Sequence, residues 1–328
     1  MKQSAPAVVA SLLLAVLSSS CGPSYSVTEP DEAQATIIDA VCAEVSQPLV
    51  VDCLRAIAGR RMTGTAACAS AEAALSERLT SPGYAVTVTR SGHENGWPSV
   101  MDTLAVEKTG TDASLAPVWV MAHWDSYGNG DGMDDNGSGT AAVVEAARVL
   151  SSRSFQRTIR FLLFGNEEMN ITGSWQYVHD LTDAELPEFF VNFEMIGYTI
   201  ATQDALSLFM GQAAGDWIGA YAPDWSSSSA ASFAASASRF VPGLKYCAVI
   251  IPEDFKKEPL ISGIALSDNL HFWNRRVPGL MLSDGASLRN PYYHSASDAL
   301  ETLDMEFMMN VIRAGIATVC LQADVNVP

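Results

Sequence analysis

Two hydrophobic patterns alternate along the middle of the chain and predict strands and helices in turn. Short apolar runs bounded by polar residues predict buried strands. They lie at Val118–Ala122, Ile159–Phe164, Phe189–Phe193, Ala248–Ile251 and Gly279–Leu282. Longer runs with apolar residues every three or four positions predict helices at Thr140–Leu150, Ser174–Leu181 and Met305–Leu321. Such alternation is typical of an α/β sandwich with a largely parallel sheet.

The N-terminal part is less regular. Residues 22–35 are polar and contain two prolines, which predicts a flexible tether. A helical pattern from Ala33 to Leu79 ends at Pro82-Gly83, and Tyr84–Thr89 alternates as a strand does. The Ser-rich and Ala-rich stretch 226–238 is either a loop and helix lining the active site or a surface insertion.

The first 21 residues have the pattern of a secretory signal. Met1-Lys2 precedes an uncharged apolar stretch, Ala7–Leu17, and small residues lead to Cys21. The apolar stretch is too short for a transmembrane helix. The small residues before Cys21 resemble a bacterial lipoprotein site, which would make Cys21 a lipid anchor; cleavage nearby and release of a soluble protein is the alternative. We therefore predict an exported protein, periplasmic, lipid-anchored at the outer surface or extracellular.

The composition of the chain limits its domain organisation and the kinds of partner that it can bind. About 300 residues remain after the signal, enough for one large or two small domains, and 48% hydrophobic residues can fill a sizeable core. The net charge of −18 argues against nucleic acid and anionic membrane surfaces as partners, because both would repel the chain.

Cysteines outside the signal stand at positions 42, 53, 68, 247 and 320. In an exported chain they predict one or two disulfides, with at least one cysteine left over. No two are spaced as Cys-x-x-Cys, which argues against a thiolate zinc site.

Polar residues follow three of the predicted strands. His123 and Asp125 come directly after one strand, Glu167 and Glu168 after the next, and Glu194 after the third. In open α/β sheets, ligands bind in the crevice outside the carboxyl ends of the strands. We therefore expect these side chains to converge although they are far apart in sequence.

Two histidines and three carboxylates can hold two zinc ions if one carboxylate bridges them. Asp135 is the natural bridge, because it lies in the Gly-rich turn Asp134–Gly139 that leads into a helix. We assign His123, Asp135 and Glu194 to one zinc ion. Asp135, Glu168 and His294 are assigned to the other.

Two further acids complete the predicted site. Glu167 is adjacent to Glu168 but points elsewhere, so it can stay free and act as the general base for water. Asp125 is two residues from His123 and can accept its other ring N–H, which fixes the tautomer.

His93 and His179 are expected at the surface, and His271 near a pocket but not as a ligand. The chain has no Gly-x-Ser-x-Gly elbow and no His-Glu-x-x-His helix, which argues against a serine hydrolase and a single-zinc protease of that helical type.

Seven motifs together resemble the co-catalytic di-zinc aminopeptidase family, whose superfamily includes glutamate carboxypeptidase-like enzymes, the transferrin receptor and the glutaminyl cyclases. They are His123-Trp-Asp125, Asp134–Gly139, Asn166-Glu-Glu168, Gly173-Ser174, Asn192–Gly197, Ser267-Asp268 and Tyr293–Asp298. The resemblance implies a three-layer, zinc exopeptidase-like domain over residues 36–328, with a mixed, mostly parallel sheet between helices. It implies the same residue roles. Glu194 stands where the family often has aspartate, and Asn269 where it usually has histidine.

The expected function is therefore an exported zinc-dependent aminopeptidase that hydrolyses N-terminal residues of peptides, with Glu167 activating a metal-bridging water. A carboxypeptidase is the first alternative; it needs a cation for the substrate carboxylate, and Arg289 is the motif-adjacent candidate. A glutaminyl cyclase, which works with one zinc ion, is the second. A catalytically inactive binding homologue is the third, although every ligand position still carries a donor.

Overall fold

The computed structural model describes residues 29–91, 101–128, 130–253 and 267–327. A mixed sheet in the order β1-β2-β4-β3-β5-β8-β6-β7 forms its centre. The strands are β1 (Thr87–Ser91), β2 (Met101–Lys108), β3 (Val118–His123), β4 (Ile159–Phe164), β5 (Phe189–Phe193), β6 (Ile218–Pro223), β7 (Tyr246–Ile251) and β8 (Gly279–Ser283). Strands β4, β3, β5 and β8 run parallel to one another, as do β6 and β7. Antiparallel pairs join β1 to β2, β2 to β4 and β6 to β8.

Helices cover both faces of this sheet. They are α1 (Glu32–Glu44), α2 (Gln47–Ala56), α3 (Ala66–Thr80), α4 (Gly139–Leu150), α5 (Thr172–His179), α6 (Ala205–Phe209), α7 (Ser227–Phe240), α8 (Asn269–Asn274) and α9 (Met305–Gln322). Alternate residues of β3 enter different cores: Val120 packs with α4 and α9, and Trp119 packs with α5 and α8. Since successive strand residues point to opposite faces, the chain has three layers. The predicted α/β sandwich with a mixed, mostly parallel sheet is confirmed.

The N-terminal helical pattern divides into α1, α2 and α3. Helix α1 begins at Glu32, inside the segment predicted as a tether, because Asp31 caps it: the Asp31 carboxylate accepts the Gln34 N–H and the Gln34 side chain accepts the Asp31 N–H. The described residues do not include the signal segment 1–21 with Cys21, the tether residues 22–28 or His93.

The stretch 226–238 is neither of the two alternatives predicted for it. It forms most of α7, which packs against β6, β7 and α9. Ser229, Ala230 and Phe233 are buried on the helix face that meets the sheet. Small side chains let the helix approach its neighbours closely, so the Ser/Ala composition reflects packing.

The predicted disulfides are also wrong for the part of the chain that the structure describes, where all five cysteines are free. Four of them are buried, and each lies on a different helix: Cys42 on α1, Cys53 on α2, Cys68 on α3 and Cys320 on α9. Burial raises the pKa of Cys42 and of Cys53 to about 12. These thiols act as small apolar groups in the core. Within the described residues, no helix is long and apolar enough to cross a membrane.

Candidate metal centre

The carboxyl ends of three neighbouring parallel strands bring the predicted residues together. His123 ends β3, Glu167 and Glu168 follow β4, and Glu194 follows β5. Asp135 comes from the tight turn Met133–Ser138 before α4, and its peptide bond to Asn136 is cis. His294 comes from the loop after β8.

Asp135 lies between the two histidines. Its Oδ1 atom is 3.5 Å from His123 Nε2, and its Oδ2 atom is 3.2 Å from His294 Nε2. Glu194 Oε2 is 3.4 Å from His123 Nε2, and Glu168 Oε2 is 3.1 Å from His294 Nε2. Donor atoms of His123, Asp135 and Glu194 lie within 4.8 Å of one another, as do those of Asp135, Glu168 and His294. These are the two groups of three that the sequence predicts.

The donor set suits zinc, which takes imidazole nitrogen and carboxylate oxygen ligands. Glu168 Oε1 is buried and has no hydrogen-bond partner within the described residues, as expected for an atom that a cation would satisfy. Burial, together with the charge of Asp135, raises the pKa of Glu168 to about 7. A bound cation would reverse this effect by favouring the carboxylate form.

Glu167 belongs to neither group of three. Its Oε2 atom is 3.9 Å from His123 Nε2, and its side chain borders the same cavity. Burial raises its pKa well above the usual value; the charge of His123 opposes the shift and that of Glu194 adds to it. The carboxylate is therefore free of the two groups and disposed to take up a proton.

Asp125 does more than the sequence suggests. It lies 3.3 Å from His123 Nδ1, at the predicted place. Its two oxygens also accept the backbone N–H groups of Glu167, at 3.2 Å, and Glu168, at 3.1 Å. One carboxylate thus lies beside the His123 ring and fixes the backbone that carries the two glutamates.

Several residues that hold the site were given no role from the sequence. Asp298 accepts the N–H groups of Asp134 and Asp135. Asn136 donates to the carbonyl of Phe193 at 2.8 Å and to Glu194 Oε2 at 3.3 Å. Ser267 also donates to Glu194 Oε2, at 2.7 Å. Asp298 and Asn136 lie inside motifs that carry the resemblance, which is the one signal that pointed to them.

His294 is sandwiched between two tyrosines. The Tyr293 ring stacks on it with 3.8 Å between centroids, and the Tyr127 ring with 4.1 Å. Tyr127 is 48% exposed, so this stack forms part of the surface at the mouth of the site. The stack limits the orientation of the His294 imidazole.

A cavity of about 60 Å³ opens over the site. Its lining combines the acidic residues with apolar and hydroxyl side chains: Asp135, Glu167, Glu168, Glu194, Met195, Ser267, Met281, Ser283, Ala286, Tyr293 and His294. Arg289 is not part of it. The Arg289 guanidinium is wholly buried, bonded to Asp204 at 2.9 Å, and placed over the ring of Trp217.

The other two histidines of the described residues, His179 and His271, lie outside both groups of three. His179 is exposed on α5 and stacks on Trp175, as expected for a surface residue. The Nε2 atom of His271 lies 3.1 Å from the carbonyl oxygen of Ile171, and burial lowers its pKa.

Residues 104–319 match the sequence profile of peptidase family M28. The chain belongs to this family. It is 46% identical over 82 residues to aminopeptidase YwaD of Bacillus subtilis, a match that covers 24% of this chain and 18% of that protein. It is 39% identical over 98 residues to the probable lipoprotein aminopeptidase LpqL of Mycobacterium tuberculosis, covering 29% of this chain and 19% of that protein. These matches thus span about a fifth of each relative.

Solved structures of two aminopeptidases and a glutaminyl cyclase share the fold. The LapA aminopeptidase of Legionella pneumophila superposes with a TM-score of 0.72 at 18% identity, covering 92% of this chain and 78% of that one. A zinc aminopeptidase of Bacillus subtilis gives 0.55 at 23% identity, covering 69% and 53%. A glutaminyl cyclase of Tannerella forsythia gives 0.63 at 18% identity, covering 85% and 98%. At these identities the likeness is one of fold, so it does not choose between peptidase and cyclase.

Proposed function

We propose that this M28 protein is a zinc-dependent aminopeptidase that holds two zinc ions per chain and removes N-terminal residues from peptides. The observation that carries the proposal is the position of Asp135, whose two oxygens face two different histidines while Glu167 stays outside both groups. His123, Asp135 and Glu194 would hold one ion. Asp135, Glu168 and His294 would hold the other.

Zinc, when bound, supplies Lewis acidity that polarises the substrate carbonyl and lowers the pKa of water. The protein's own residues do the proton transfer. Glu167 takes a proton from the attacking water and delivers it to the amine that leaves the cleaved peptide bond. Burial raises the pKa of the Glu167 carboxyl, which makes its carboxylate a stronger base, and bound zinc would oppose this shift. Asp125 keeps Glu167 in place through the backbone N–H of that residue.

The side chains that line the cavity favour the N-terminal end of a peptide over the C-terminal end. Its described lining carries four carboxylates and, apart from His294, no residue able to bear a positive charge. Bound zinc would offset the charge of the three ligand carboxylates. Glu167 would then remain as the free acid of the described lining, and apart from the ligand His294 no cationic side chain is there to pair with a C-terminal carboxylate. Arg289, the cation that a carboxypeptidase reading would use, is buried against Asp204 and Trp217.

The glutaminyl cyclase alternative rests on one zinc ion per chain. Both groups of three donors are complete here, and each contains a histidine and two carboxylates. This supports two ions and hence the peptidase. The inactive alternative is disfavoured for the same reason, since no predicted ligand position has lost its donor.

We also propose that the protein is exported, with residues 1–21 as its signal and 36–328 as its catalytic domain. The support is the sequence of the leader and the match to a lipoprotein aminopeptidase. Mass spectrometry of the mature N-terminus tests this. Lipid on Cys21 would indicate an anchored protein, an unmodified N-terminus nearby would indicate release, and a retained Met1 leader would contradict export.

Glu167→Gln tests the mechanism. We expect turnover of an aminoacyl-arylamide to fall by roughly 10²–10⁴-fold, because the general base is lost, while the zinc content stays unchanged. Glu188→Gln, at an exposed position before β5, is the matched control and should keep full activity. Substantial turnover by the Glu167 variant would contradict the assigned role.

A further inference from the structure

Arg61 is a buried arginine outside the region that matches the family. It lies between α2 and α3, whereas the M28 match covers residues 104–319. Its exposure is 0%. Arginine is almost never fully buried unless it is paired. The partners of Arg61 therefore indicate what it does.

The guanidinium of Arg61 donates to four backbone carbonyls. Nε bonds to the carbonyl of Trp124 at 2.6 Å, and Nη2 to that of Gly132 at 2.8 Å. Nη1 bonds to the carbonyls of Asp131 and Ile57. Three of these four acceptors belong to residues 124–132, which connect His123 to the turn that holds Asp135.

The backbone of Arg61 is tied to the same segment. The Arg61 N–H donates to Ser126 Oγ at 3.0 Å, and the Ser126 N–H donates to the Arg61 carbonyl at 3.2 Å. Arg61 thus contacts the segment at its beginning, near Ser126, and at its end, at Gly132. These contacts fix both ends of the segment that joins His123 to the turn of Asp135.

The segment carries two side chains that act on the site. Asp125 accepts the N–H groups of Glu167 and Glu168, and Tyr127 stacks on His294. A shift of the segment would therefore move the general base and two ligands of one zinc group, Glu168 and His294. Asp135 would also move, since the segment leads directly into its turn.

The charge of Arg61 acts on the site as well. Burial lowers the pKa of Arg61, and the attraction of Asp125 and Asp298 opposes that shift. The guanidinium remains protonated in proteins. It is thus a buried positive charge behind a group of buried carboxylates, where the low dielectric strengthens its effect.

We propose that Arg61 is a positioning residue for the metal centre. It holds residues 124–128 and 130–132 in the conformation that places Asp125 and Tyr127 against the zinc ligands, and its charge lets the carboxylates lie close together. This proposal rests on the proposed function in one respect, which is that the site binds zinc.

Three variants separate the two contributions. Arg61→Lys keeps the charge but loses the planar fork that reaches several carbonyls at once. Arg61→Met loses both. Arg275→Met is the matched control, because Arg275 also donates to two backbone carbonyls, those of Val178 and Leu181, but next to α5 and away from the metal groups.

The first measurement is zinc affinity of the metal-stripped proteins by competition with a chromophoric chelator, beside their melting temperatures without metal. We expect Arg61→Met to weaken zinc binding by roughly 10–100-fold, in the range of other residues that orient metal ligands, and Arg61→Lys by less. Arg275→Met should lower the melting temperature and leave zinc affinity within about twofold of the wild type.

The second measurement is kcat and KM at saturating zinc. A positioning role predicts that kcat falls several-fold in Arg61→Lys while KM changes little. If the Arg61 variants lower only the melting temperature, with zinc affinity and kcat like those of Arg275→Met, Arg61 is merely structural and the proposal is wrong. Should Arg61→Met not fold, Ser126→Ala removes one bond of the same contact, and together with Arg61→Lys it decides by the same criteria.

The affinity measurement also keeps the two proposals apart. A wild-type protein that binds zinc without cleaving aminoacyl-arylamides contradicts the proposed function, and the affinities of the variants still decide the role of Arg61. A wild-type protein without measurable zinc binding overturns both.

Discussion

The Asp298 carboxylate accepts a hydrogen bond from the backbone of Asp135 and another from its neighbour. Its Oδ2 atom accepts the Asp135 N–H at 3.0 Å, and its Oδ1 atom accepts the neighbouring Asp134 N–H at 2.8 Å. Both residues are buried, so these bonds are not exchanged with water. The residue proposed to bridge the two ions is thus oriented by a second carboxylate 163 positions away in sequence.

We predict that Asp298→Asn weakens zinc binding by about 10–100-fold. An asparagine side chain has one acceptor oxygen, so its NH₂ group would face one of the two backbone N–H donors. Chelator competition measures the loss. Asp112→Asn is the control, because Asp112 also accepts a backbone N–H, from Ser114, but at an exposed turn. Equal zinc affinities in the two variants would show that Asp298 does not orient the bridge.

Glu194 should tolerate shortening poorly. Its Oε2 atom already accepts from Ser267 Oγ at 2.7 Å and lies 3.4 Å from His123 Nε2. Glu194→Asp withdraws that oxygen by one methylene, so we expect one of the two ions to bind at least tenfold more weakly while the other is retained. Isothermal titration with zinc should then show two separated affinities. Glu188→Asp, at an exposed position before β5, is the control and should leave both affinities unchanged. Equal loss of both ions in Glu194→Asp would contradict the assignment of Glu194 to one group.

Arg289 should matter for stability and not for substrate binding. Arg289→Met would leave Asp204 buried without its partner, and the loss of one member of a buried ion pair costs about 3–5 kcal/mol in the free energy of unfolding. Lys245→Met, which removes the exposed pair with Asp216, should cost under about 1 kcal/mol. Urea unfolding compares the two. A large increase in the KM for peptides in Arg289→Met, at unchanged kcat, would instead favour the carboxypeptidase hypothesis.

The metal-free protein should lose stability as pH rises from about 5 to 9. Burial raises the folded-state pKa of Glu168 from 4.5 to about 7 and that of Asp298 from 3.8 to about 7, so each carboxylate is penalised increasingly above its unfolded pKa. Despite burial, which alone would lower it, the pKa of His294 rises from 6.5 to about 9 through Asp135 and Glu168. The stabilisation of protonated His294 is therefore full below pH 6.5 and lost towards pH 9.

Thermal unfolding in the presence of a chelator tests this pH dependence. Saturating zinc should reverse it, because zinc binds the deprotonated ligands and the metal-bound fold is favoured as pH rises through this range. A metal-free protein whose melting temperature stays flat or increases between pH 5 and 8 would contradict the raised carboxylate pKa values.

The central strands were predictable because they are buried on both faces. Such strands are continuous apolar runs, and β4 and β5 lie where the sequence predicts them. Strands β2 and β6 were missed. The first contains Asp102 and charged residues at its end, and the second is Ile-Gly-Ala-Tyr-Ala-Pro, which has no strong local strand signal. Pairing with distant strands fixes both.

Some residues of the site could likewise be predicted from the sequence, and others could not. The donors at strand ends could be expected to converge, since the sheet topology puts those ends together. Arg61 and Asp298 could not be assigned roles, because they act on backbone groups far away in sequence. No periodicity or spacing signals such a contact. The cysteine prediction failed for a related reason: composition suggests disulfides, but burial on separate helices depends on the packing of the whole core.

Titration of zinc into the metal-stripped protein, with hydrolysis of an alanyl- or leucyl-arylamide followed at each step, tests the central claim most directly. The account predicts activity that rises to a plateau at two equivalents of zinc per chain and is absent with the N-acetylated substrate. A plateau at one equivalent, or no hydrolysis at any zinc level, would contradict a two-zinc aminopeptidase.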